Sequence, residues 1–266
     1  MLIYEPTGKA REYSPLALNV YAGGCDHQCS YCYCRNIVRG DWSKTGSPRN
    51  LDSLDREAKK CFRQILLCFM GDPYSQDEIK YRQTRAALEI LKRNKCSVAI
   101  LTKGGERCLD DLGIFRSWPD GRIKVGATLT FKSEHASRKF EPGAQSPLQR
   151  VEALKVLHEA GIQTWASIEP VIYPADSLAI IEASLPYVDA YKVGKLNHRS
   201  TDVDWKAFCL DAVSLIRSAG KKLYVKYDLA EFVPAGFLTA EETDCDHLVL
   251  PDRPNGKLTI KNAELF

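Results

Sequence analysis

The amino-acid sequence predicts an α/β protein whose parallel sheet curls into a barrel or partial barrel with helices outside. Three observations carry this expectation. Short apolar runs alternate with longer amphipathic ones about six times along the 266 residues, the rhythm of repeated strand–helix units. Several of the short runs are apolar almost throughout, as strands covered on both faces must be. No Gly-x-Gly-x-x-Gly follows the first run; a cysteine-rich loop does, which argues against a doubly wound dinucleotide-binding sheet.

The strands are expected at "ALNVYA" (17–22), "QILLCFM" (64–70), "SVAILT" (97–102), "IKVGATLTF" (123–131), "TWASIEPVI" (164–172), "VDAYKVG" (188–194) and "KLYVKY" (222–227). Helices fall between them. "LDSLDREAKKCFR" (51–63) precedes the second strand, and "QDEIKYRQTRAALEILKRN" (76–94) follows it, with Ile79, Arg82 or Gln83, Ala86 or Ala87, and Ile90 on one stripe. "SPLQRVEALKVLHEAG" (146–161) has Ser146 as N-cap, Pro147 in its first turn and Gly161 as its stop. "DSLAIIEASL" (176–185) and "DWKAFCLDAVSLIRSAG" (204–220) complete the set. No linker, repeat or low-complexity segment divides the chain. It reads as one domain over 1–266, with a barrel core over about 15–228 and an irregular C-terminal cap over about 229–266 carrying one short strand, "HLVL" (247–250).

Apolar residues make up 44% and charged residues 27%, the composition of a soluble globular protein. A net charge of +3 is too small to demand a nucleic-acid partner. The opening "MLIYEPTGKAREYSPLALNV" lacks the basic and apolar blocks of a signal peptide, and no window approaches the ~18 apolar residues of a membrane span. The expected compartment is the cytoplasm, where clustered thiols bind metal or do redox chemistry rather than form disulfides.

Four of the ten cysteines lie in "GGCDHQCSYCYCR" (23–35). Cys25, Cys29 and Cys32 are spaced C-x3-C-x2-C. Three thiolates from one loop can hold three corners of a cubane cluster and leave the fourth iron open. A structural zinc site would want a fourth ligand, usually in two separated pairs. Cys34 follows too closely and lacks a partner pair. The remaining cysteines, 61, 68, 96, 108, 209 and 245, show no ligand spacing and read as small buried apolar residues. Of the five histidines, only His27 in the loop and His198 after the sixth strand are placed to matter.

Active sites of parallel barrels lie at the C-terminal strand ends, and polar residues gather there: "GDPY" (71–74), "TKGG" (102–105), Thr128 and Thr130, "SIEP" (167–170) and "KVGKLNH" (192–198). Taken in order, "YAGGCDHQCSYCYCR", "GDPYSQDE", "TRAALEIL", "ILTKGGERCLDDL", "FEPGAQSPLQRVEALKVLHEAGI" and "SIEPVI" resemble the spore photoproduct lyase-like group of the radical S-adenosylmethionine superfamily, over about residues 10–200. The resemblance implies a partial TIM barrel and a 4Fe–4S cluster on Cys25, Cys29 and Cys32. It implies S-adenosylmethionine on the open iron, and a 5′-deoxyadenosyl radical that takes hydrogen from a substrate. It further implies that Gly71 and Asp72 meet the methionyl amino group, Lys103 its carboxylate, and Thr128 or Thr130 the ribose. Tyr31 and Tyr33 flank Cys32 as do tyrosines implicated in radical relay in the lyase; cofactor stacking is their other role. An electron donor of the flavodoxin or ferredoxin kind is the implied partner, with a nucleic acid or nucleotide as the candidate substrate.

At the fifth and sixth strands Glu169, Lys192, Lys195 and Asn197 are the candidates to face that substrate. The chain also departs from the lyase. The lyase's hydrogen-donating cysteine falls at Met70-Gly71, and the nearest thiol is Cys68, expected to share Met70's side of an extended strand, deeper in the barrel. Photoproduct repair is therefore not carried over. The rival reading is a non-catalytic module, binding nucleic acid or a protein, stabilised by a metal. It would not need the polar residues after strands two to four.

Overall fold

In the computed structural model, residues 1–37, 42, 46–197 and 201–253 are described. All seven expected strands form. They are β2 (Leu16–Leu18), β5 (Ile65–Leu67), β6 (Val98–Thr102), β7 (Ile123–Thr128), β8 (Gln163–Ile168), β9 (Ala190–Val193) and β10 (Lys222–Val225), parallel and paired in that order. An unforeseen β1 (Ile3–Tyr4) adds antiparallel to β2. The eight-stranded sheet does not close, since β1 and β10 are its two edges. The first apolar run splits. Its end forms a separate two-stranded ribbon, β3 (Tyr21–Ala22) with β4 (Ser47–Pro48), which is the stem of the cysteine loop.

The helices are α1 (Cys34–Ile37), α2 (Leu54–Ala58), α3 (Gln76–Tyr81), α4 (Gln83–Arg93), α5 (Leu112–Arg116), α6 (Glu134–Phe140), α7 (Pro147–Glu159), α8 (Pro174–Ser184), α9 (Trp205–Ser218), α10 (Tyr227–Ala230) and α11 (Ala240–Thr243). Alternation along the strands sorts side chains into two layers. On β8, Ala166 and Ile168 join the outer cluster with Leu154, Ile180 and Phe208 of α7, α8 and α9. Trp165 turns inward to meet Leu66, Ala99, Ala190 and Tyr224. Gly126 makes this possible, because a Cβ there would lie 2.5 Å from the Trp165 carbonyl oxygen and 2.6 Å from its indole. Helix α7 starts as expected: Ser146 and Gln149 form a reciprocal capping box with Pro147 in the first turn.

Three expectations are corrected. The 76–94 helix is broken at Arg82, which sits in the left-handed region (φ +51°). The buried Glu78 carboxylate takes the N–H of Thr84 (2.8 Å) and so starts α4 as a separate helix. The stripe loses phase, and Ile79 is left 52% exposed while Ala87, Leu88 and Leu91 form the core face. "HLVL" is a turn, not a strand. Its backbone is satisfied by turn bonds, His247 N to the Asp244 carbonyl (3.1 Å) and Val249 N to the Asp246 carbonyl (2.9 Å), and by side chains: Lys124 Nζ donates to the Leu248 carbonyl, and Leu250 N donates to Gln64 Oε1 (2.9 Å). Leu248 thereby packs in the inner cluster, so this part of the tail plugs the barrel. The rest of the expected cap, 254–266, lies outside the described residues. The second strand ends at Leu67, and Cys68 packs in the outer cluster with Leu67 and Tyr74 rather than in the barrel.

The N-terminal segment crosses the open seam of the sheet. Tyr224 Oη donates to Glu12 Oε2 (2.8 Å), Ser14 Oγ to the Gln64 carbonyl (3.0 Å), and Arg11 grips Asp246 through two bonds of 2.8 and 2.7 Å. Among the described residues no helix is long and apolar enough to cross a membrane.

Candidate active site

The cysteine loop leaves the β3 stem at Gly23, whose φ of +95° suits only glycine. Gln28 N donates to the Cys25 carbonyl and Cys32 N to the Cys29 carbonyl, each at 3.2 Å. These bonds make two tight turns of the loop, one between Cys25 and Gln28 and one between Cys29 and Cys32. The loop is pinned from outside by Ser30 N to the Phe140 carbonyl (2.8 Å) and Gly143 N to the His27 carbonyl (3.1 Å). A Cβ on Gly143 would fall 2.0 Å from the Asp26 carbonyl oxygen. Gly143→Ala is therefore expected to displace the loop and to cost about 1–3 kcal/mol, with reduced iron retention; unchanged iron content and melting temperature would refute the contact.

The thiols share one electrostatic environment. Burial, Asp72 and Cys29 push the Cys25 thiol up. Burial raises Cys29 to about 11 despite the nearby Lys103. A hydrogen bond from Cys34 holds Cys32 down at about 6. Cys34 is buried, and its Sγ lies 3.5 Å from the Phe69 carbonyl and 3.7 Å from Met70 Sδ. It thus occupies the place beside Met70 that was expected of Cys68. Cys96, Cys108 and Cys209 are buried as expected; Cys61 and Cys245 are only half-buried. Ligand atoms of Cys25, Asp26 and His27 also lie within 4.8 Å of one another. A single ion fits this trio poorly, because Arg107 Nη2 lies 3.1 Å from His27 Nε2 and Asp26 Oδ2 already takes Gln76 N (2.6 Å). The donor set of Cys25, Cys29 and Cys32, soft thiols from one loop, suits an iron–sulfur cluster.

Two loops frame these thiols. Gly71 (φ +93°) turns the chain after β5, backing onto Gly24. Asp72 Oδ1 accepts from Tyr74 N (2.8 Å) and Thr102 Oγ1 (2.5 Å), and Oδ2 accepts from Lys103 N (2.7 Å). His27 Nδ1 is 3.5 Å from Oδ2. Burial would raise this carboxyl, but His27 and these donors hold it below its ordinary value. Lys103 is half-buried, its Nζ 5.7 Å from the Tyr31 ring centre. Among the described residues it has no carboxylate within 4.0 Å and no hydrogen bond from Nζ. Burial would lower its pKa, yet Cys29 and Glu141 raise it.

Behind the loop lies a buried ionic knot that the sequence reading missed. Arg150 Nη2 meets Glu141 Oε2 at 2.5 Å, with both side chains at most 1% exposed. Glu141 also accepts from Tyr31 Oη and from Thr130 Oγ1 (3.1 Å). Arg150 donates to the carbonyls of Thr128 (3.0 Å) and Gln145 (2.8 Å). Tyr31 is thereby an anchor of the cysteine loop, and the Thr130 hydroxyl is turned to Glu141. Tyr33 stays 42% exposed.

A second polar group gathers at the ends of β8, β9 and β10. Glu169 Oε2 accepts from Tyr13 Oη (2.6 Å) and Lys226 Nζ (2.7 Å), and Oε1 accepts from Asn197 Nδ2 (2.9 Å). Lys9 bridges Asn197 to Asp228 (2.7 Å). Gly194 leaves room for this, since a Cβ there would be 2.9 Å from both Glu169 Cδ and Lys226 Cδ. Glu169 and Asn197 thus come together. Lys192 does not join them. It is buried, its Nζ donates to the Glu12 carbonyl (2.6 Å), and burial lowers its pKa to about 7. Lys195 lies against the rings of Trp205 and Phe232. His198 lies outside the described residues. Tyr13, Lys226, Glu141 and Arg150 were not singled out from sequence, although the last two sit in "FEPGAQSPLQR" (140–150), where a buried acid–base pair could have been sought.

Three thiols on a short loop at the mouth of an open parallel barrel, with a cation held beside them, are the architecture of a cluster-binding radical protein. The chain belongs to the radical S-adenosylmethionine superfamily, whose pattern it matches over residues 19–185. Members of this superfamily use a 4Fe–4S cluster and S-adenosylmethionine. An uncharacterized protein of Methanocaldococcus jannaschii is 30% identical over 190 residues, 69% of this chain and 71% of that one. An uncharacterized protein of Acidianus two-tailed virus is 26% identical over 174 residues, 59% and 56% of the two chains. In fold, the chain is similar to spore photoproduct lyase solved with dinucleoside spore photoproduct (TM-score 0.64, 14% identity, 84% of this chain and 78% of that one). It is also similar to SuiB of Streptococcus suis bound to S-adenosylmethionine (TM-score 0.61, 13% identity, 79% and 50%). The chain spans about half the length of SuiB.

Proposed function

We propose that the chain is a single-domain radical S-adenosylmethionine enzyme of the cytoplasm, doing lyase-like or modification chemistry, with the cluster on Cys25, Cys29 and Cys32. The observation that carries this reading is the Lys103 ammonium, half-buried beside Cys29 with no acidic partner among the described residues. A cation in that position has an anion missing from its surroundings, and the methionyl carboxylate supplies one. When bound, the cluster and S-adenosylmethionine provide a carbon-centred radical that removes a hydrogen atom from the substrate.

The chain's own residues bind, orient and exclude water. Asp72 ties the loops after β5 and β6 to the cysteine loop through His27 and Lys103 N, presenting the Gly71–Asp72 turn to the methionyl amino group. Thr128 faces the ribose from the inner side of β7. Glu169 and Asn197, held by Tyr13, Lys226 and Lys9, present polar groups to the substrate at the barrel mouth. Tyr31 and Tyr33 bound the cofactor. A nucleic acid or nucleotide is the substrate class suggested by the likeness to a lyase solved with a dinucleoside photoproduct. The rival reading, a metal-stabilised binding module without catalysis, leaves the unpaired Lys103 without a purpose.

Anaerobically reconstituted protein should bind about four irons with equal sulfide and release 5′-deoxyadenosine from S-adenosylmethionine under dithionite. Lys103→Met should keep its iron but bind S-adenosylmethionine about 10- to 100-fold more weakly, the loss of roughly 1.5–3 kcal/mol for one charge-assisted contact. Equal affinity in equilibrium dialysis would remove Lys103 from the cofactor site.

A further inference from the structure

Three aromatic rings meet just beyond the ends of β7 and β8. Phe131, buried, stacks on Phe140 with ring centres 5.4 Å apart and 22° between planes, and Tyr173 packs edge-on against Phe140 at 5.8 Å. Phe140 is half-buried, and Tyr173 is left 44% exposed. Lys139 Nζ lies 5.4 Å from the Phe140 ring centre, which sets an ammonium against the cluster. The backbone N–H groups of Lys132 and Ser133 both donate to Asp176 Oδ1 (3.2 and 2.9 Å), and Asp176 N donates to the Tyr173 carbonyl (3.0 Å). The exposed Lys132 is thereby tied to the turn that carries Tyr173. Arg138 pairs with Glu134 (2.6 Å), but Lys132 and Lys139 have no carboxylate within 4.0 Å among the described residues. The cluster is also joined to the proposed cofactor site. The Phe140 carbonyl takes Ser30 N of the cysteine loop, the next residue, Glu141, holds Tyr31, and the Thr130 carbonyl takes Ser177 Oγ of α8 (3.0 Å).

We infer that this cluster binds an unpaired nucleic-acid strand beside the barrel mouth, with a base lying on Tyr173 and phosphates meeting Lys132 and Lys139; this rests on the proposal that the substrate is a nucleic acid or nucleotide. A ring already held by two others loses little freedom on binding, and every base has a flat face to offer it. The two unpaired ammonium groups attract phosphates, and no nearby carboxylate of the chain competes for them. The cluster stands outside the strand ends, so it holds nucleotides next to the reacting one rather than the reacting one itself. The substrate is then a strand of several nucleotides and not a free mononucleotide. A base inside a duplex has both faces covered by its neighbours, so the exposed ring selects an unpaired strand.

Fluorescence anisotropy on the anaerobically reconstituted protein tests this with three labelled probes: a deoxythymidine decamer, an abasic decamer of the same charge, and a poly-glutamate peptide. Tyr173→Ala should bind the thymidine decamer about tenfold more weakly and the abasic decamer as wild type does, and Tyr173→Trp should keep the wild-type affinity for both. Lys132→Ala/Lys139→Ala should weaken both decamers. Its slope of log affinity against log salt should be shallower by about 1.4, two phosphate contacts at ~0.7 each. Tyr173→Ala binding the thymidine decamer as tightly as wild type would overturn the inference. So would an equal loss on the abasic decamer, which would mark damage to the rim rather than a lost stack. Poly-glutamate held as tightly as the thymidine decamer, with the same dependence on Tyr173, would assign the surface to an acidic peptide instead. If the wild type releases 5′-deoxyadenosine but binds neither decamer, the nucleic-acid reading of the substrate fails and the inference falls with it.

Discussion

Replacing any one of Cys25, Cys29 or Cys32 with alanine is expected to abolish 5′-deoxyadenosine formation and to lose most of the iron, whereas Cys34→Ala keeps both. In the proposed site each of the three would hold one corner of the cluster, and the loop offers no substitute thiol except Cys34. Its Sγ lies beside the end of β5, 3.5 Å from the Phe69 carbonyl and 3.7 Å from Met70 Sδ. Cys34 also donates to Cys32, so its loss leaves Cys32 a freer ligand rather than a missing one. Iron and sulfide analysis with the electron paramagnetic resonance spectrum of the reduced protein decides the matter. If Cys34→Ala loses iron as completely as the other three, the site is a closed four-thiolate centre and the radical mechanism is wrong.

Arg150→Met is expected to destabilise the fold by about 3–5 kcal/mol, because it strands a buried carboxylate. Glu141 and Arg150 are each at most 1% exposed in the side chain and meet at 2.5 Å. The same carboxylate holds Tyr31 of the cysteine loop and Thr130 after β7. Loosening it should therefore reduce iron retention as well as stability. Glu141→Gln keeps the shape and should cost less, and the double variant should fall short of the sum because the two residues share one interaction. Urea denaturation of the cluster-free protein measures all three. The pair also predicts a pH dependence. Burial would raise the Glu141 carboxyl, but Arg150, Lys103 and the hydrogen bonds from Arg150 and Tyr31 hold it at about 2, below its ordinary 4.5. A depressed carboxyl stabilises the fold fully above its unfolded value. That contribution is lost as pH falls from about 4.5 towards 2. The denaturation midpoint should drop across this window in the wild type and less steeply in Glu141→Gln; parallel curves would show that the carboxylate is not the group responsible.

Much of the fold was legible because local patterns carry it. Each of the seven apolar runs between residues 17 and 227 became a strand, since covering both faces of a parallel sheet leaves a signal in every strand. The α7 start was readable from Ser146, Pro147 and Gln149 because a cap is built from consecutive residues. Where the reading failed, a distant group had intervened. The 76–94 helix breaks because Glu78 reaches across to Thr84 N and Tyr21 Oη. "HLVL" is no strand because its N–H groups close turns on Asp244 and Asp246 while Lys124 and Gln64 reach its other backbone groups from elsewhere in the chain. Cys68 faces the outer layer because β5 stops at Leu67.

By itself, the sequence determined the class of chemistry. Three thiols in eight residues, Cys25 to Cys32, have a spacing that survives any packing around it and that places the chain in its superfamily, and the polar residues after each strand follow from the rule that parallel strands point the same way. Tertiary structure alone decided which of those polar side chains work together. It brought Glu169 to Tyr13, Lys226 and Asn197, turned Lys192 to the carbonyl of Glu12, and set Arg150 against Glu141 behind the cysteine loop. The reason is physical: a buried charge is tolerated only beside a matching partner, and packing, which brings residues far apart in sequence together, chooses that partner.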